Sequence, residues 1–518
     1  MSTTEPIRDD STARGSSGSG DPTRWRALTV CLVAAFMTLL DVSIVNVALP
    51  SIRSGLHMSQ SGLQWVLSGY ALAFGLALVP AGRLGDARSR RAVFMVGLAS
   101  FTIASALAGA ARNEVWLVVA RLVQGAAGGM VIPQVSGFIQ EQFRGAERGK
   151  AFGLLGAAIG VSTAIGPLLG GLLIQLFGVQ DGWRWVFYVN LPIGVAALPL
   201  AYRLLPRPDQ TPADAQKKQK AGARLRDLDP IGTVLLGAGT VLLLLPFVEE
   251  QEWHSASKWL LLPIAAVLVG CFVLWERRYA RHGEPVVNPS LFKARSYSLG
   301  SVLSLLYFAG FTAIFFIYTL YLQSGLNYSA LLAGLAITPF AAGSGVSSAI
   351  GGRVVDRFGR PLVLAGLVLV LVGLGATVWA VHVWPGREVG WATALPLLVA
   401  GIGSGLVVSP NQALTLSEVP VVRAGSAGAV LQTGQRIGSA VGIAAVGSVF
   451  FSAVASTHGD WSLSFLRGMV VVLGFVFLAL VAATVDVLGG REKSSGDEAA
   501  ESSGSGEGAE NAEHATTA

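Results

Sequence analysis

Apolar stretches of about 20 residues recur along almost the whole chain, and no other feature narrows its fold as much. A helix of that length crosses ~30 Å of hydrocarbon. Inside a bilayer no water satisfies backbone N–H and C=O groups, so such stretches have to be α-helical. Fourteen are counted, from 27–49 to 464–488. The chain is 52% hydrophobic and 13% charged, with a mean hydropathy of +0.58, against about 25% charged residues in soluble domains. A soluble multidomain enzyme is excluded.

The net charge of +6 does not point to nucleic acid, because the basic residues fall in short clusters between apolar stretches and not on one domain. They follow topology instead. With both termini cytoplasmic, 29 of the 37 Lys and Arg lie in inner loops and tails, six lie in outer loops, and Arg121 and Arg436 fall inside spans. Cytoplasmic loops collect such residues, and a miscount by one span would scramble the alternation. The two cysteines, Cys31 and Cys271, both sit in apolar stretches and form neither a disulfide framework nor a metal-ligand spacing.

The organisation expected from this pattern is a disordered cytoplasmic N-tail (1–24), an N-terminal six-helix bundle (25–205), a basic cytoplasmic linker (206–229), two additional helices (230–276), a C-terminal six-helix bundle (277–488) and a disordered acidic C-tail (489–518). Residues 82–91, GRLGDARSRR, follow the second span, and residues 352–361, GRVVDRFGRP, follow the tenth. The two copies share Gly-Arg, an Asp three residues after the Arg, and a basic end. They lie eight spans apart, on the same face, as duplicated helical halves displaced by one inserted helix pair would place them. Duplicated halves are transporter architecture.

Five further motifs carry a family resemblance: LLDVSIVNVALP (39–50), QWVLSGYALA (64–73), RLVQGAAGG (121–129), GPLLGG (166–171) and WRWVFYVNLPIG (183–194). In this order, and across residues 27 to about 488, they resemble the fourteen-span drug:proton antiporter family of the major facilitator superfamily. The resemblance implies an all-helical membrane protein of two six-helix bundles plus two inserted helices. It also implies export of lipophilic drugs or antibiotics by alternating access, multi-pass in a bacterial cytoplasmic membrane, driven by protons, and a monomer by default. GPLLGG, with Gly166, Pro167, Gly170 and Gly171, accompanies exporters in that family and, read physically, joins a helix-kinking proline to glycines that admit a close neighbour.

Asp41 is the foremost site candidate. A carboxylate deep in a span costs about 2.5–3.5 kcal/mol on insertion scales and is normally functional or paired. At ~1.5 Å per residue, Asp41 and Arg121 both lie ~9 Å below the outer boundary. Low dielectric favours the neutral acid and a nearby arginine favours the carboxylate, so the pair has the makings of a proton switch in which protonation displaces the compound. A fixed Asp41–Arg121 ion pair, or an Asp41 bonded to its own backbone near Asn46, fits the sequence as well. Candidate cavity residues are Asn46, Tyr70, Gln124, Tyr307, Phe311, Asn411 and Arg436. Of these, Tyr307 and Phe311 share a helical spacing with Phe315 and Tyr318 that suits either substrate stacking or packing. Arg436 has no acidic partner at its depth in the second half; it either awaits an anionic or carbonyl-rich ligand or bonds backbone carbonyls.

Gly82, Arg83, Asp86, Arg90 and Arg91 in the first repeat, and Gly352, Asp356, Arg357, Gly359 and Arg360 in the second, read as gating loops that latch one conformation through charge-assisted hydrogen bonds. The first copy has Ala87 and Ser89 where the family pattern has arginine and glycine, which predicts the weaker latch there. No P-loop, HExxH or dinucleotide fingerprint occurs, so an ion gradient is the expected energy source, with no cofactor and no enzyme activity. Two other functions remain compatible: transport of a small polar metabolite on the same fold, and a non-transporting membrane sensor.

Overall fold

The structure, a computed structural model, describes residues 22–178, 180–206, 229–248, 255–281, 287, 289–384 and 386–514. Apart from a few residues at their edges, the expected N-tail and linker lie outside the described residues. So do the last four residues of the C-tail.

The helices are α1 (Pro22–Leu56), α2 (Gln60–Ala87), α3 (Arg90–Gly109), α4 (Glu114–Gln142), α5 (Gly145–Phe177), α6 (Gly182–Leu204, broken at Val189), α7 (Pro230–Val248), α8 (Leu261–Tyr279), α9 (Arg295–Leu320), α10 (Ala330–Phe358), α11 (Arg360–Val383), α12 (Ala394–Thr415), α13 (Ala424–Ser456) and α14 (Trp461–His514). Among the described residues no strand occurs, and thirteen helical segments are long and apolar enough to cross a membrane. The remaining expected span coincides with α7, whose apolar stretch Ile231–Leu243 is shorter. Short polar residues start several helices by capping free N–H groups: Ser59 accepts from Gly62, Asn113 from Trp116 and Ser329 from Leu332. The last helix runs beyond Leu488 to His514, through a segment expected to be without structure. Helix hydrogen bonds are local, so a ladder nucleated in the apolar part is carried on past it, although the many glycines and serines of this segment are poor helix formers.

Within the first bundle α2 packs on α4, α3 on α4, α1 on α5 and α1 on α6. Eight helices later the same pairs recur: α10 on α12, α11 on α12, α9 on α13 and α9 on α14. The bundles meet along α5–α10 and α2–α13, which are exchanged by the same shift. The duplicated sequence motif is thus one surface trace of a duplicated bundle. The inserted pair, α7 and α8, packs against the α2–α13 seam, where Leu235, Leu236 and Phe272 join Val79 and Ala429.

Glycine decides how closely these helices approach. A Cβ at Gly125 would stand 2.3 Å from the carbonyl oxygen of Tyr70, and one at Gly129 would stand 2.4 Å from that of Phe74, so RLVQGAAGG is the groove that receives α2. Of the two cysteines, Cys31 is buried in the first bundle and Cys271 is exposed on α8.

Candidate functional site

Five helices of the first bundle converge on one carboxylate. Asp41 of α1 and Arg121 of α4 are 0% and 1% exposed, and Asp41 Oδ2 accepts from Arg121 Nη1 at 2.6 Å. Gln124, nearly one turn after Arg121, donates to Asp41 Oδ1 at 2.8 Å and to Ser105 Oγ of α3 at 2.8 Å, while its own carbonyl accepts from Arg121. Arg121 Nε donates to the Val66 carbonyl on α2 at 3.0 Å. Asn190, the first residue after the break in α6, is the third donor to the carboxylate, reaching Oδ1 at 3.0 Å. Each oxygen of the carboxylate is therefore bonded, all from the first bundle.

Of the readings left open above, the buried ion pair is the one present, and Asp41 does not bond its own backbone. Asn46 is exposed and donates to Val42 on its own helix, away from the cluster. Asn190 and Ser105 escaped the sequence reading. The available signal for Asn190 was an amide at the break of an apolar span, directly before Leu191-Pro192.

An aromatic pair carries the cluster across to the second bundle. The Arg121 guanidinium lies 4.1 Å from the Tyr70 ring centroid, Tyr70 stacks on Phe74 with centroids 6.0 Å apart, and the Arg436 guanidinium of α13 lies 4.4 Å from the Phe74 centroid. Two arginines from opposite bundles thus sit on neighbouring rings of α2, in a contact worth about 0.5–2 kcal/mol each. GPLLGG lies alongside: a Cβ at Gly166 would meet Ser43 Oγ of α1 at 1.8 Å, and one at Gly170 would meet Ile44, while Gly171 has open space. Pro167 faces Gly334 of α10 in the opposite bundle.

The other cavity candidates are not brought together here. Tyr307 and Tyr318 are buried in the core of the second bundle, and Phe311 and Phe315 pack on Phe340. Asn411 belongs to the basic end of the molecule, where it accepts from Arg360 at 2.8 Å and donates to the Gly300 carbonyl. Arg360 also reaches Asp486 at 2.8 Å, an acid that the sequence reading did not single out.

The two repeats lie at that basic end, and the carboxylate of the first hydrogen-bonds across to the opposite bundle. Asp86 is 3% exposed and accepts from the backbone N–H of Gly425 (3.1 Å) and Ser426 (2.7 Å), from Ser426 Oγ (2.7 Å), and from Arg90 (2.8 Å). A carboxylate at the N-terminus of α13 meets unsatisfied N–H groups and the positive end of the helix dipole. Arg90 in turn donates to the Val421 carbonyl and to Glu141. Asp356, by contrast, is exposed. The expectation of a weaker first latch is corrected because none of these bonds uses position 87 or 89; Ser89 instead caps α3 by accepting from Ala92. Arg91 donates to the Tyr202 carbonyl within its own bundle, and Gly359 closes α10 at φ +56°. The glycines of the two repeats form matching bundle contacts, Gly82 with Gly425 and Gly352 with Gly149. Among the described residues no cluster of His, Cys, Asp or Glu has a metal-holding arrangement.

The model of the Major Facilitator Superfamily matches residues 31–443 and 299–503. The chain is 37% identical over 439 residues to the probable actinorhodin transporter of Streptomyces coelicolor, covering 84% of this chain and 73% of that protein. It is 34% identical over 453 residues to the puromycin resistance protein pur8 of Streptomyces alboniger, covering 85% of this chain and 84% of that one. Among solved structures, the human organic anion transporter MFSD10 superposes with a TM-score of 0.62 at 15% identity, over 89% of this chain and all of the other, a likeness of fold.

Proposed function

We propose that this chain, which belongs to the Major Facilitator Superfamily, is a proton-coupled antiporter. It exports lipophilic drugs or antibiotics across the bacterial cytoplasmic membrane by alternating access, as a monomer and without a cofactor. The observation that carries the coupling is the Asp41–Arg121 pair, buried and held by five helices of one bundle. Relatives named for antibiotic transport and resistance support the cargo class and the outward direction. The clustering of Lys and Arg supports placing the Asp86 end in the cytoplasm.

In this reading the proton acts through shape. The hydrogen bonds of Asp41 lie inside one bundle, which favours conformational coupling over the direct competition between proton and compound expected from the sequence. Protonation neutralises Asp41 and leaves Arg121 buried without its counter-charge. Removing one partner of a buried pair costs about 3–5 kcal/mol, enough to move a two-state equilibrium by more than a hundredfold. Arg121 then shifts on Tyr70, and Tyr70 and Phe74 pass that shift to the bundle interface. At the cytoplasmic end Asp86 and the Gly149–Gly352 contact hold the bundles shut, and they separate when the cavity turns inward to load.

The test is proton release from acid-loaded inverted vesicles on addition of lipophilic compounds, comparing wild type with Asp41→Asn at equal expression. Compound-triggered flux in the wild type that is lost in the variant is the expected result. Undiminished flux in the variant removes Asp41 from coupling, and silence from the wild type with cationic, neutral and anionic compounds alike sinks the export reading.

A further inference from the structure

The charge that the mechanism leaves over is Arg436. It sits twelve residues into α13, about 18 Å from the start of that helix and therefore near the middle of a ~30 Å hydrocarbon layer. An ionised group at that depth normally has a partner. Among the described residues Arg436 makes no hydrogen bond and no ion pair, and its contact is the face of Phe74 across the bundle interface. It does not bond backbone carbonyls, the alternative that the sequence allowed. Gln432 lies four residues earlier on the same face of α13, is 7% exposed, and likewise has no hydrogen-bond partner among the described residues. Arg436 is nevertheless only partly buried, so part of its side chain borders open space.

We infer that Arg436 and Gln432 form the polar end of the substrate site, and that the preferred cargo is a flat lipophilic compound carrying an acidic group. The inference rests on the export reading and names its substrate class. A guanidinium offers several donors in a planar fork suited to carboxylate, sulfonate or enolate oxygens. The amide of Gln432 adds a donor one turn away, and the Tyr70–Phe74 stack offers an aromatic wall beside the charge. The charge balance points the same way. Asp41 and Arg121 cancel, so the charged groups on this path carry one uncompensated positive charge, and an anion neutralises it where a cation would double it. Nothing is required of Asp41 here, so the acidic group and the proton occupy separate places.

The experiment uses two probes that share a skeleton. 1-Anilinonaphthalene-8-sulfonate carries an acidic group and N-phenyl-1-naphthylamine does not. Binding of each to the full chain in nanodiscs is measured against empty nanodiscs, for wild type, Arg436→Gln, Arg436→Ala and Arg436→Lys. A hydrogen bond to a charged group corresponds to about a 10- to 100-fold preference for the sulfonate. Arg436→Gln and Arg436→Ala are expected to lose that preference while holding the neutral probe within about twofold, and Arg436→Lys to keep part of it.

Equal affinity of the wild type for the two probes overturns the inference, as does a preference that survives in Arg436→Ala, and so does the absence of binding by either probe. The wild-type comparison decides even if every variant fails to fold, which elution profile and thermal midpoint report. Compound-triggered proton flux in vesicles judges the export reading separately: flux without an Arg436-dependent anion preference sinks this inference alone.

Discussion

Gly352→Ala is the substitution whose consequence can be worked furthest from the geometry. A Cβ at Gly352 of α10 would stand 2.3 Å from the Gly149 carbonyl oxygen and 2.6 Å from the Gly153 Cα of α5. Ordinary contact begins at about 3.4 Å, so the two helices have to part by about 1 Å, and because the obstacles are backbone atoms no side chain can turn away to absorb the clash. Alanine gains about 1 kcal/mol of helix propensity over glycine, but α10 is helical whether the basic end is shut or open, so that gain cancels in the equilibrium between the two. What remains is the overpacking cost, about 1–3 kcal/mol, borne only by the shut state, which corresponds to a shift of about 5- to 150-fold toward the open one. Spin labels at Arg88→Cys and Arg357→Cys, both exposed on opposite bundles at that end, report it in a background lacking Cys31 and Cys271. Double electron–electron resonance is expected to show one short distance in the wild type and a longer population in Gly352→Ala. Gly171→Ala, where a Cβ has nothing within 4 Å, is expected to leave the distribution as it was. Superimposable distributions for wild type and Gly352→Ala refute the reasoning that backbone contact at this glycine pair holds the end shut.

The same labels test the first latch: Asp86→Asn keeps the shape but removes the charge that meets the α13 N-terminus, a loss of about 1.5–3 kcal/mol, and should populate the longer distance, whereas Asp356→Asn should change it little. For the buried pair, Arg121→Gln and Asp41→Asn are each expected to destabilise by about 3–5 kcal/mol, and the double variant by clearly less than their sum, because it leaves no lone charge behind; an additive thermal-denaturation cycle contradicts the pairing. Asn190→Leu removes one of three donors to Asp41 while Asn190→Ser retains a hydroxyl donor; the expected reading is a shifted pH midpoint of compound-triggered proton flux in the leucine variant and a smaller shift with serine.

Much of the architecture was legible in the chain because a bilayer asks little of a sequence beyond length and apolarity. The helices, the inserted pair and the duplicated halves follow from the apolar stretches and from one ten-residue motif repeated eight spans later. Residues with unusual chemistry announced themselves too: Asp41, Arg121 and Arg436 are charges where charges are costly. The strength of the two latches was misread because motif resemblance weighs positions 87 and 89, while the bonds run from Asp86 to a helix end more than 330 residues away.

The sequence by itself determined that the chain is a repeated array of apolar helices, and it singled out the charges committed to the apolar interior. Only the tertiary structure decided who meets whom. It brought Asn190, 149 residues away in the chain, onto Asp41, kept Asn46 and Tyr307 out of that cluster, and laid Arg436 on a ring of the opposite bundle. The reason is physical: a span that is apolar nearly all round carries almost no periodic signal for its rotation about its own axis, so the facing of each side chain is settled by close packing at glycines and by the few polar groups that must find one another.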